Sequence, residues 1–167
     1  GLLNAVWAVV IVLLEVPSGA LADLLGRKAL LVAAAIMMTL EMLLLAIVPI
    51  GSSWVFPALL LNRILSGAAE AFASGADEAL AFDSLKAAGK DGDWPRVLER
   101  LMQVGGLATI FAMVTGSLVY SPDLIQVVMN WAGFSSQLTL DDTFRLPVWL
   151  TFFSGCGAIL VTLSMVE

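Results

Sequence analysis

The chain has 167 residues, of which 60% are hydrophobic and 13% charged, with no histidine and a single cysteine. Its mean hydropathy of +0.97 lies far outside the range of water-soluble proteins, so lipid is its principal solvent. The lone Cys156 excludes a disulfide framework and a cysteine-histidine zinc site, and the missing histidine removes the usual general base; no cofactor and no metal are expected. The formal net charge of −6 says little about partners, because several carboxylates fall inside apolar runs while the bases gather in two short segments. Nucleic acid is not an expected partner; the lipid bilayer is.

In chain order, five apolar stretches approach the ~20 residues that a helix needs to cross a bilayer. They cover about residues 2–22, 29–50, 54–81, 101–120 and 146–166. Backbone polar groups in hydrocarbon must be satisfied within the chain, and no alternating barrel pattern competes, so the expected fold is all-α: a polytopic membrane bundle of five transmembrane helices. The connections are predicted at 23–28, 51–53, 82–100 and 121–145. Pro49 to Ser53 makes a tight polar turn. Asp93-Trp94-Pro95 resembles the start of a helix, with proline tolerated in the first turn. Leu124 to Phe134 is moderately apolar but too short to cross, and is expected to lie at the membrane interface.

Arg27, Lys28, Lys86, Lys90, Arg96 and Arg100 fall in the 23–28 and 82–100 connections, whereas the other two hold only Arg145. The positive-inside rule therefore places 23–28 and 82–100 in the cytoplasm and 51–53 and 121–145 outside. Trp54 and Trp149 then mark the outer boundary and Trp94 the inner one. An odd number of spans and the absence of an initiating methionine lead to the expectation that the chain is a piece of a larger protein. The first span lacks the basic region of a signal peptide.

The stretch Gly19 to Lys28, GALADLLGRK, concentrates unusual residue types between two spans. Gly19 and Gly26 suit a sharp turn and a close helix approach. Asp23 can accept hydrogen bonds from a helix end, and Arg27 and Lys28 are expected to face anionic lipid. An ordinary positive-inside turn would carry the same features, and both readings stand on spacing alone.

Ionisable residues inside spans each cost a few kcal/mol at the least if left unpaired in lipid, about 2.5–3.5 on insertion scales. On the third span, Arg63, Glu70 and Asp77 are spaced by seven, so they lie on one slowly drifting stripe, joined by Gly67 and Ser74. Leu61, Leu65, Phe72 and Ala79 lie opposite. The polar side must face a cavity or a partner. Arg63 and Glu70 are ~10 Å apart along the axis and need partners elsewhere. Counting residues from the span ends puts Glu41 at the depth of Arg63, and Glu15 at that of Glu70. Glu41 is either paired or protonated, and Glu15 precedes Pro17, which removes a helix hydrogen bond and can kink the first span. The stripe is read either as a transport path or as internal charges that hold helices together.

The run Gly19-Ala20-Leu21-Ala22-Asp23-Leu24-Leu25-Gly26-Arg27-Lys28 resembles the signature loop of the major facilitator superfamily, which joins the second and third helices of its amino-terminal lobe. The likeness extends upstream through Glu15-Val16-Pro17-Ser18. Asn62-Arg63-Ile64-Leu65-Ser66-Gly67 is similar to the fourth-helix arginine motif of its drug/proton antiporters, and Ser74 to Leu85 to a subgroup of bacterial facilitators. Leu24 stands where a basic residue is usual and Ser66 where glutamine is frequent. No proline follows Gly105, Gly106 or Gly116, so the fifth-helix pattern of many antiporters is absent.

The resemblance implies that the five spans are helices two to six of twelve, in a multi-pass protein of the bacterial inner membrane. The first helix and the carboxy-terminal lobe are then its missing partners. It also implies alternating access around a midplane site, with proton-linked efflux of a small molecule as the expected activity. Arg63 would modulate protonation of a carboxylate, Glu70 first and Glu15 second. Metabolite uptake by uniport or symport is the alternative within the class; a non-transporting scaffold or receptor-like protein is the alternative outside it. An enzyme is not expected, since no nucleophile, base and oxyanion donors converge.

Overall fold

The computed structural model describes residues 1–133 and 143–165. The described residues form α1 (Leu2–Leu25), α2 (Arg27–Ile47), α3 (Val55–Ala73), α4 (Ala76–Ala87), a 3-10 turn (Asp91–Asp93), α5 (Trp94–Tyr120), α6 (Pro122–Trp131) and α7 (Leu146–Ser164), with no strand among them. Five segments are long and apolar enough to cross a membrane: Leu2–Leu25, Arg27–Ile47, Val55–Ala87, Asp91–Tyr120 and Leu146–Ser164. The chain is therefore an all-helical protein of multi-pass membrane type. Parts of two predicted elements, residues 134–142 of the 121–145 connection and the last residue of the 146–166 span, lie outside the described residues.

Residues 1–94 together with 151–167 cluster as one unit, and 95–150 as another. In the first unit α3 packs along both α1 and α2, and α4 folds against α2. The contact surfaces are built from small side chains: Ala34, Ala35, Ala46, Ala58, Ala69 and Ala71 are all buried. Between helices in lipid the hydrophobic effect contributes little, so close van der Waals approach does the work, and alanine and glycine permit it. Gly67 marks a close backbone crossing of α3 on α1. A Cβ there would stand 2.8 Å from the Trp7 carbonyl oxygen and 3.0 Å from the Val10 Cβ. Gly155 plays the same part where α7 meets α2, since a Cβ there would lie 2.6 Å from the Thr39 hydroxyl. That hydroxyl donates to the Ala35 carbonyl within its own helix.

The helix ends depart from the sequence expectation in three places, each for a local reason. The predicted 54–81 helix is broken: α3 stops at Ala73, Ser74 is extended with ψ 116, and Gly75 takes the left-handed φ of 72 before α4 begins. The 82–100 connection is mostly helix, because α4 runs on to Ala87 and α5 already starts at Trp94. Pro95 occupies the first turn of α5, as the sequence predicts, because a proline there forfeits no intrahelical bond. Finally, the 23–28 connection shrinks to Gly26 alone.

In the second unit Ser121 is extended and separates α5 from α6. The Thr143 hydroxyl, 1% exposed, donates to the Tyr120 carbonyl at 2.9 Å. That bond satisfies one of the carbonyls left open at the end of α5 and brings residue 143 back to the point where the chain leaves the helix.

Candidate functional site

Two polar places lie within the first unit, one at the ends of α1, α2 and α4 and one between α2 and α3. At the helix ends, Gly26 joins α1 to α2 with φ 89 and ψ 151, a combination open essentially to glycine alone. Its N–H donates to the Ala22 carbonyl at 3.0 Å and so closes α1. A one-residue connection throws Arg27 straight into the first turn of α2, where its guanidinium pairs with the Asp83 carboxylate of α4. Arg27 thus straps α2 to α4.

Beside this pair lies a cleft of about 720 Å³ lined by residues including Asp23, Gly26, Arg27, Asp83 and Ser84. A second, of about 350 Å³, is lined by Ser18, Gly19, Asp23, Arg27 and the Ser74 to Ala76 break, among others. Asp23 borders both, facing the start of α4 across the smaller cleft. It accepts no hydrogen bond among the described residues. Gly19 is not at a turn: it sits inside α1 with open space where a Cβ would be. The glycine of the pair that the backbone demands is Gly26. Lys28 is half-buried and makes no ion pair among the described residues.

Deeper in the helices, Glu41 of α2 and Asn62 of α3 are 6% and 0% exposed. The Asn62 amide nitrogen donates to both the backbone carbonyl and the side-chain carboxylate of Glu41, each at 3.4 Å. Its amide oxygen accepts Nε and Nη2 of Arg63 at 3.0 and 2.8 Å. The side-chain hydroxyl of Ser66 and the charge of Arg63 also act on the Glu41 carboxylate. The result is a chain of carboxylate, amide and guanidinium in which every polar group is oriented by its neighbour. An amide fits between the two charges because it donates on one side and accepts on the other.

The remaining candidates are dispersed. Glu70 is exposed, two turns along α3 from Arg63, and its carboxylate has no partner among the described residues. Glu15 is exposed on α1; its backbone carbonyl, not its carboxylate, accepts the buried Ser18 hydroxyl at 2.8 Å. Asp77 does not continue the Arg63–Glu70 stripe, because the break at Gly75 puts it in the first turn of α4. There it accepts the Glu78 N–H at 2.8 Å and complements the helix N-terminus.

The depth estimate for Glu41 and Arg63 agrees with this geometry, but two of its key residues escape sequence reasoning. Asn62 reads as a motif neighbour of Arg63 and nothing more, although a polar residue beside an intramembrane arginine was a usable signal. Asp83 reads as loop surface; its role depends on α4 folding back over α2. Fold and site together define a class, the polytopic α-helical membrane protein with buried charge inside its spans. No protein family, curated protein or solved structure matches this chain.

Proposed function

We propose that the chain forms part of the amino-terminal lobe of a facilitator-type secondary transporter that moves a small molecule by alternating access, with proton-linked efflux as its mode. The observation that carries this reading is the Glu41–Asn62–Arg63 chain inside two helices apolar enough to span a membrane. Charged groups at such depth are costly and serve ion or substrate pathways by default. Unpartnered Glu15 and Glu70 add to it. A spanning helix does not present a bare carboxylate to hydrocarbon, so the sides of α1 and α3 that bear them face protein or water. The Gly26 turn with its Arg27–Asp83 strap is the kind of rigid helix junction that a rocking lobe needs.

The geometry moves the carboxylate most closely tied to Arg63 from Glu70 to Glu41. In vesicles carrying the full-length protein, proton flux read with a pH-sensitive dye while small molecules are added tests this directly. Glu41→Gln is expected to abolish substrate-driven proton movement and Glu70→Gln to weaken it. Coupling unchanged in both variants would sink the proton-linked reading, and flux with no proton movement in the unsubstituted protein would turn it to uniport.

A second reading follows from the burial of Asn62 and Glu41, which border neither cleft. The cluster would then be a clamp between α2 and α3 in a scaffold or receptor-like protein. Arg63→Ala with transport retained and stability lowered is the outcome that favours it.

A further inference from the structure

α6 has three distinct sides at helical spacing, and they differ in exposure. Pro122, Ile125 and Met129 are half-buried. Asp123, Gln126 and Asn130 form a polar edge, where the Gln126 amide donates to Asn130 Oδ1 at 3.2 Å. Leu124, Val127, Val128 and Trp131 form the third side. At 3.6 residues per turn these four fall within an arc of about 100°. All four are exposed, Trp131 to 95%.

The position of α6 says what covers that stripe. It follows α5, which is long and apolar enough to cross the membrane, after one extended residue, and α7 of the same kind comes next. The Thr143 to Tyr120 hydrogen bond makes the chain return to the end of α5, so the segment between them begins and ends at the membrane boundary. A ten-residue helix, ~15 Å long at 1.5 Å per residue, stays close to that boundary. Its sole ionisable side chain is Asp123, with no lysine or arginine to attract an anionic headgroup.

We propose that α6 is an interfacial anchor whose Leu124, Val127, Val128 and Trp131 stripe is immersed in the acyl–headgroup boundary of an uncharged lipid leaflet, with Trp131 at headgroup level. The proposal depends on the membrane class alone and is independent of the transport reading. The full chain is reconstituted in phosphatidylcholine vesicles, in a Cys156→Ser background, with a nitroxide on Val128→Cys or Asn130→Cys. Oxygen partitions into lipid and a nickel chelate into water. The Val128 label is expected to collide preferentially with oxygen and the Asn130 label with nickel.

Nickel access at both positions would overturn the anchor, as would a Val128 label sheltered from both reagents, which means that protein covers the stripe. Oxygen preference that arises only with phosphatidylglycerol present would overturn the uncharged-lipid assignment. Should either cysteine variant misfold, tryptophan quenching by lipids brominated high on the acyl chain decides the matter. The expected result is a loss of that quenching in Trp131→Phe relative to the unsubstituted chain, and quenching identical in the two overturns the proposal.

Discussion

The chain holds two arginines at helix positions that differ in surroundings, and the contrast separates what a charge does at a helix end from what it does inside a bundle. Arg27 begins α2 beside the one-residue turn and pairs directly with Asp83, with side chains 31% and 55% exposed. Arg63 lies within α3 and meets its carboxylate through the fully buried Asn62. Water and salt reach the first pair, so its Coulomb energy is screened and offset by the ordering of two long side chains. The second rests on an amide and a carboxylate that are almost fully buried, and there a lost hydrogen bond leaves a buried polar group bare. The first is a strap that trims the position of α4; the second holds α2 and α3 in register.

The largest effect expected from breaking this contrast is at the amide. Asn62→Ala strands both the Arg63 guanidinium and the Glu41 carboxylate and should cost about 2–3 kcal/mol, read as SDS-induced unfolding in bicelles. A loss below about 0.5 kcal/mol would mean that the two charges find other partners. Gly67→Val should come next, at about 1–3 kcal/mol by the same measurement, because its Cβ is driven into a backbone oxygen that cannot rotate away. Gly26→Ala forces a Cβ into glycine-only backbone space and should cost about 1–2 kcal/mol. Gly19→Ala, on an open helical position, should be neutral or slightly stabilising.

The smallest effect belongs to the exposed pair. A double-mutant cycle of Arg27→Gln and Asp83→Asn should give a coupling of about 0–1 kcal/mol that shrinks in 1 M salt. The corresponding cycle of Arg63→Gln and Glu41→Gln should keep its coupling in the same salt. Equal salt sensitivity in the two cycles would erase the distinction between strap and clamp.

Much of the architecture is legible in the sequence because its solvent leaves few choices. Twenty apolar residues in a row have one way to satisfy their backbone in lipid, which is why the five spans and the Trp94–Pro95 helix start emerge without coordinates. Glu41 and Arg63 can be matched by counting from span ends, since helices rise by a fixed ~1.5 Å per residue. The break after Ala73 was not legible. Ser74-Gly75 sits within an alanine-rich run that fits the seven-residue spacing of Arg63, Glu70 and Asp77, and a glycine in a helix is tolerated often enough to be overlooked. That one left-handed residue removes Asp77 from the stripe, and α4, folded against α2, sets Asp83 before Arg27.

The sequence by itself determined the solvent, the all-helical class, the number of spans and the matching depth of Glu41 and Arg63, because these depend on composition and on distances along one helix. Only the tertiary structure decided which charge meets which. Asn62 between Glu41 and Arg63 and Asp83 beside Arg27 depend on helix rotation and crossing. Those are set by where Gly67 and Gly155 let backbones approach and where Gly26 and Gly75 let the chain turn, and no single helix carries that information.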